Sequence, residues 1–286
     1  MDYNKAIEAR KSIREFVGKD IAETQIDAIK NCFQDLSRMV PDIKTEYVLV
    51  NGADHQYLKG HIGYYGMSFE APLYLLLLSE VRPGYIENAG YINEDMILRL
   101  TDMGLDSCWM TVNEEAELKE FLAIESDLKI TAAAAVGYGK KERNMTRLHI
   151  KTMSDVEVST REGHLAPKIS LSQMTYSEVW GKAALLDEQH VDDGLRNALY
   201  AASYAPTFLN RQPFRLVMKG GQLILVRMMD SLTGEYDACL NCGAVMLNFA
   251  AALDQRRPFK TQWILGQPDR GCEVPVDCKV VGYCNL

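Results

Sequence analysis

The chain presents the same run of elements twice, and that repetition limits its fold more than any single motif does. In the first half a helical stretch at 23–40 stops near Pro41, followed by an apolar strand at 46–52 and a buried one, "APLYLLLL", at 71–78. A helix at 89–105 then runs into "DSCWM", and a strand at 130–139 closes the half. The second half offers a helix at 192–205 before Pro206, strands at 213–221 and 222–229, a small-residue helix at 241–255 and a last strand at 278–286. Spacings agree as well. Gly90 to Trp109 is 19 positions and Gly243 to Trp263 is 20, while Val136-Gly137-Tyr138 is matched by Val281-Gly282-Tyr283. Strand–helix–strand orders are common, but two such strand ends and two equally placed tryptophans favour a duplication. The expectation is α+β: two related halves, 1–150 and 175–286, each a mixed or antiparallel sheet flanked by helices. A polar linker without hydrophobic periodicity, 151–174, joins them.

Composition removes several classes of function. Lys and Arg number 31 against 39 Asp and Glu, for a net charge of −8, and no long basic run exists, so nucleic acid is a poor partner. The N-terminus has no apolar stretch, and 71–78 is far shorter than the ~20 residues that cross a bilayer. No membrane partner is expected. Seven irregularly spaced cysteines read as reduced thiols in a cytoplasmic protein rather than a disulfide framework. "CLNC" (239–242) lacks a second pair at comparable spacing and the five histidines never fall at i, i+4, so no metal site is expected. Tyr64, Tyr65 and Met67 are placed near a lid position, but packing is the ordinary reading of such a stretch.

Two short stretches hold the candidate chemistry. In "ARKSIREF" (9–16), Arg10, Lys11, Ser12 and Arg14 fall within five positions. If the chain is extended there, Arg10, Ser12 and Arg14 project to one side, two guanidinium forks and a hydroxyl that suit a phosphate monoester. The competing reading is a solvated basic patch that complements a helix C-terminus. In "APTFLNRQPF" (205–214), Pro206 and Pro213 stiffen a loop bearing Thr207, Asn210 and Gln212, whose amides and hydroxyl could read the edge of a heterocycle or satisfy the loop's own backbone.

"AIEARKSIREF" resembles the opening motif of the nitroreductase family of flavoproteins, and "APTFLNRQPF" resembles that family's Pro-Ser-x-x-Asn-x-Gln-Pro loop. "DMGLDSCW" (102–109) and "AVGYGKKERNMTRL" (135–148) are similar to its Gly-Leu-Gly-Ser-Cys-Trp turn and its Gly-Tyr-Pro strand end. Ordinary members are homodimers with FMN at the interface; here the two motifs stand in different halves, and each half lacks what the other keeps. Pro41 to Gly52 is 11 positions where Pro206 to Gly220 is 14, and "TYSEVWGK" stands where the first half has its arginines. The resemblance therefore implies a single-chain pseudo-dimer holding one FMN, a monomer or at most a weak homodimer.

By the same resemblance, Arg10 and Ser12 would hold the phosphate with a cation from the tail, Arg147 or else Lys140; Lys11 counts among the cofactor-binding residues, and Arg14 would lie nearer the pyrimidine. Pro206, Thr207, Phe208 and Asn210 would cover the ribityl chain and ring edge. The turn at Leu105 and Asp106 would offer a backbone N–H to flavin N5, although Asp106 replaces the family's glycine. The activity implied is hydride transfer from NAD(P)H through the flavin to a small electron-poor acceptor such as a nitroaromatic or quinone. It requires no catalytic side chain, since the chemistry belongs to N5. A protein that binds or stores flavin without turnover is the alternative.

Overall fold

A computed structural model of the chain describes residues 1–63, 68–113, 115–140, 166–186 and 191–286, together with the backbone of 145–152 and 155–161. From the N-terminus run α1 (Tyr3–Ala9), α2 (Glu23–Cys32), β1 (Thr45–Asn51), the single turn α3 (His55–Leu58) and β2 (Ile62–Gly63). β3 (Leu73–Ser79), α4 (Tyr85–Asp102), β4 (Asp106–Val112), α5 (Glu115–Phe121) and β5 (Lys129–Gly137) complete the first half. A hairpin of β6 (Met145–Thr152) and β7 (Asp155–Arg161) follows, then α6 (Leu171–Met174), β8 (Thr175–Ser177) and α7 (Asp193–Tyr204). β9 (Phe214–Lys219), β10 (Gln222–Met228), α8 (Glu235–Asp254), β11 (Ile264–Leu265) and β12 (Cys278–Asn285) end the chain.

The apolar run at 73–78 forms a strand covered on both faces, because successive side chains point to opposite sides of a sheet. Tyr74, Leu76 and Leu78 enter one hydrophobic cluster, and Leu73, Leu75 and Leu77 enter another. β3 sits inside a five-stranded sheet of order β1-β3-β5-β4-β2, all antiparallel. The second sheet has the order β11-β12-β10-β9-β8. Its four antiparallel strands β9-β10-β12-β11 reproduce β1-β3-β5-β4, with α8 occupying the place in the chain that α4 has in the first half. Only the fifth strands differ: β2 lies antiparallel on β4, whereas β8 lies parallel on β9.

The halves meet along α4 and α8, and glycines set how closely. A Cβ at Gly90 would lie 2.2 Å from the Leu240 carbonyl oxygen, and one at Gly243 would lie 2.1 Å from that of Glu87. Each glycine thus lets the other helix's backbone come into contact. α8 is apolar around most of its circumference, as a core helix must be. By length and composition it would pass for a membrane span, yet most of it is buried inside the protein. α4 instead buries Asn88, Asn93, Glu94 and Asp95 completely. Each receives a hydrogen bond from another part of the chain: Asn88 from Val40 N, Asn93 from Tyr47 Oη, Asp95 from Ser37 N and Tyr3 Oη, and Glu94 from the Trp109 indole. Burying such groups unpaired would cost several kcal/mol, on the order of 2–7 each.

Three expectations are corrected. The helix at 23–40 ends at Cys32, because Asp95 and Asn88 capture Ser37 N and Val40 N and hold 33–40 in turns. The helix expected from Asn241 begins at Glu235, where Glu235 and Asp237 complement the positive end of the helix dipole. The stretch 151–174, read as a linker without periodicity, holds the end of β6, all of β7 and α6, and its residues 166–169 are fastened to the second half. Tyr64, Tyr65 and Met67 lie outside the described residues.

Candidate functional site

Between the halves lies a cavity of about 730 Å³. One wall is built from residues 10–14. α1 ends at Ala9, and Arg10 leaves it in a non-helical conformation (φ −58°, ψ 125°). Ser12 then bridges in parallel to Ser107, and Ile13 N donates to the Ser107 carbonyl at 2.9 Å, which keeps the segment extended along β4. Arg10, Lys11, Ser12 and Arg14 all line the cavity, and an Arg10 Nη reaches Ser12 Oγ at 3.5 Å. The basic residues are therefore a cavity wall and not a helix-end patch.

The opposite wall comes from the second half, through Tyr204, residues 206–210 and the α8 face bearing Asp237, Asn241 and Ala244. Asp237 and Asn241 are one helical turn apart and so share that face. The loop is tightly wound, with Leu209, Asn210 and Gln212 all at positive φ (49°, 55° and 52°). Asn241 holds it by accepting the Phe208 N–H at 3.1 Å, while its own buried Nδ2 has no partner. Thr207 Oγ1 accepts the Gln212 N–H at 3.0 Å, so its hydroxyl serves the turn.

The amides of this loop do something the sequence reading left open. Asn210 Nδ2 donates to the Pro167 carbonyl at 2.8 Å. Gln212, itself buried, accepts the Ile169 N–H at 2.9 Å and donates to the carbonyls of Pro167 and Asn210. Both side chains fasten residues 166–169 to the loop; Asn210 lines the cavity as well, and Gln212 does not. That attachment places Lys168 on the cavity wall, its Nζ donating to the Ala205 carbonyl at 2.9 Å. Burial, with Arg10 adding to it, brings the Lys168 ammonium down to about 8.

Behind Arg10 stands Glu94, fully buried on α4. One carboxylate oxygen accepts the Trp109 indole N–H at 3.1 Å. The other lies 3.7 Å from Arg10 Nε, an ion pair too long for a hydrogen bond, and both of those atoms lack a hydrogen-bond partner. Burial pushes the Glu94 carboxyl up to about 7 against the opposing pull of Arg10, the indole and Lys168.

The structure thus brings Arg10, Lys11, Ser12, Arg14, Pro206, Thr207, Phe208 and Asn210 around one cavity. It places three others elsewhere. Leu105 is buried, its N–H donating to Leu100 O; the Asp106 carboxylate accepts the Gly139 N–H at 2.8 Å; and neither lines the cavity, where β4 presents Cys108 to Thr111. Turning onto the end of β5 is how the aspartate fits where a glycine was expected. Lys140 points away and pairs with Glu15 at 3.5 Å. The Arg147 side chain lies outside the described residues. Lys168, Glu94, Asp237 and Asn241 are additions. A proline just before Lys168 was the only local sign that its segment is fixed, and Asp237 and Asn241 show an i, i+4 spacing hidden by the adjacent "CLNC". Cys239 and Cys242 are pushed up strongly by burial, as packing thiols are. Among the described residues no group of three His, Cys, Asp or Glu side chains is placed to hold a metal.

A solved structure from Thermotoga maritima MSB8, titled a "putative nitroreductase", is similar over 100% of this chain and 94% of its own, with 16% identity and a TM-score of 0.62. A nitroreductase with bound FMN from Bacteroides fragilis NCTC 9343 matches 56% of this chain and 100% of its own, at 19% identity and a TM-score of 0.42. An FMN-dependent nitroreductase from Clostridium difficile R20291 matches 48% and 88%, at 17% identity and a TM-score of 0.42. No curated protein sequence matches. The family model described as "Putative TM nitroreductase" matches residues 2–239, and on that extent the chain belongs to this nitroreductase family.

Proposed function

We propose that the protein is an FMN-dependent oxidoreductase that takes hydride from NAD(P)H and passes it to a small electron-poor acceptor such as a nitroaromatic or quinone. The supporting observation is the cavity itself: residues 10–14 and 206–210, nearly 200 positions apart, face each other across it. Its volume, about 730 Å³, lies within the ~300–1,000 Å³ of ordinary cofactor sites. The donors fit a flavin mononucleotide. Arg10, Lys11, Ser12 and Lys168 would hold the phosphate, Arg14 would favour negative charge on the pyrimidine side, and the loop at 206–210 with Asn241, whose Nδ2 has no partner, would cover the ring and ribityl chain. Lys168 adds a cation at the phosphate end, where Arg147 was also expected, while Lys140 is engaged by Glu15. When bound, FMN supplies the hydride chemistry at N5; the chain's residues bind, orient and shield it.

In this reading the chain is a fused pair of nitroreductase-like halves, and the shared order of four strands supports that descent. One polypeptide then supplies both sides of the site, and the protein works as a monomer or weak homodimer in the cytoplasm. The test is spectroscopic. Purified protein should be yellow, bleach anaerobically with NADH or NADPH, and regain its colour with a quinone or nitroaromatic. Colour that neither nucleotide bleaches would make it a flavin store, and colourless protein that takes up no FMN would refute both readings.

A further inference from the structure

Glu94 poses a question that flavin binding alone does not answer. A carboxylate sealed inside α4 normally has both oxygens hydrogen-bonded, or it is neutral. Here Oε2 is bonded to the Trp109 indole, while Oε1 faces Arg10 Nε at 3.7 Å with a hydrogen bond to neither atom. Arg10 also lines the cavity and reaches Ser12 Oγ, so the guanidinium stands between a buried carboxylate and the space where a phosphate would lie. Two anions cannot both be served by one partly desolvated guanidinium at equal strength.

We infer that Glu94 is a proton-linked counter-charge for Arg10: it neutralises the guanidinium while the cavity end is free of anion and takes up a proton when a phosphate monoester docks there. This rests on the FMN reading above. The groups acting on Glu94 are Arg10 at the cap of α1, the Trp109 indole on β4, Lys168 from the 166–169 segment and Asp95 on its own helix. Asp95 and an incoming phosphate both disfavour the carboxylate; the other three favour it. Burial already holds the free group near 7, so a dianion beside Arg10 moves it higher. Binding is then strongest below pH 7 and weakens above it, by up to about tenfold per pH unit until the pKa of the complex is passed. The phosphate's own titration, at about 6, is nearly complete in that window.

The experiment is calorimetric titration of the flavin-free protein with FMN at pH 7–8 in buffers of different ionisation enthalpy, which counts protons taken up. Riboflavin, which lacks the phosphate, is the control. Wild type should take up a substantial fraction of a proton with FMN and none with riboflavin, and Glu94→Gln should bind FMN with a clearly smaller uptake, what remains coming from Lys168. Lys168 also titrates near this range, so uptake must persist in Lys168→Met. Should Glu94→Gln fail to fold, Trp109→Phe replaces it: losing the indole N–H leaves Glu94 protonated beforehand, and uptake at pH 7 falls. FMN binding with no uptake in wild type, uptake unchanged in Glu94→Gln, or uptake abolished only by Lys168→Met overturns the inference and leaves the FMN site standing. Absence of FMN binding overturns both.

Discussion

Replacing Gly243 with alanine sets two physical effects against each other. Both Gly90 and Gly243 lie inside helices, where alanine is favoured over glycine by ~1 kcal/mol. Propensity alone therefore predicts a more stable protein. Against it, the new Cβ would fall 2.1 Å from Glu87 O and 2.6 Å from Tyr91 N, and both are backbone atoms that no rotamer change can move. The helices would have to part by roughly 1 Å, a gap that forfeits about a quarter to a half of the dispersion energy of each contact it opens. Overpacking of this kind costs ~1–3 kcal/mol. Taking the upper end, because the clash is backbone on backbone, the net loss is ~2 kcal/mol. For a chain of this length that lowers the melting temperature by roughly 4 °C. Thermal and urea midpoints of wild type and Gly243→Ala measure it, with Gly90→Ala as the reciprocal variant. Once the helices have parted, the second substitution costs less than the first, so the double variant should lose less than the sum. A Gly243→Ala protein as stable as wild type, or more so, would refute the close-contact argument.

Removing the Arg10 guanidinium by Arg10→Ala should weaken FMN binding roughly 10–100-fold, the worth of one or two charge-assisted hydrogen bonds, as read by fluorescence quenching; full flavin occupancy would show the phosphate end to be misassigned. Gln212→Ala removes three hydrogen bonds from a buried site and should cost ~2–3 kcal/mol. It should also speed proteolysis near 166–169, and unchanged protection would mean the segment is held by something else. Glu94 has its carboxyl raised on folding from 4.5 to about 7, so its contribution to stability is fully present below 4.5 and is lost as pH rises towards 7. Glu94→Gln should therefore gain on wild type across that window in urea midpoints, and parallel pH profiles would contradict it.

The order of strands and helices was legible because their periods survive in any sequence that must bury one face or two, and Leu73 to Leu78 leave little choice. The two halves of the cavity were legible for a different reason: Arg10, Ser12 and Arg14 and the proline-bounded loop are dense in polar groups that no core would need. Lys168 was not, because an extended strap with no periodicity looks the same whether it is docked or solvated. Glu94 was hidden for the opposite reason, since a glutamate on a helix bearing Asn93 and Asp95 reads as a solvent face; its burial against Arg10 and the Trp109 indole shows it to be interior. Asp106 misled because local similarity to a glycine turn says nothing of where a longer side chain will turn, and it turned to Gly139.

Since Asn210 and Gln212 rivet the strap to the loop, 166–169 and 205–212 form a single jaw. Any admission of a coenzyme that swings one must swing the other. A change that loosened this jaw would, by the same motion, withdraw Lys168 from the cavity wall and from the phosphate proposed to lie there.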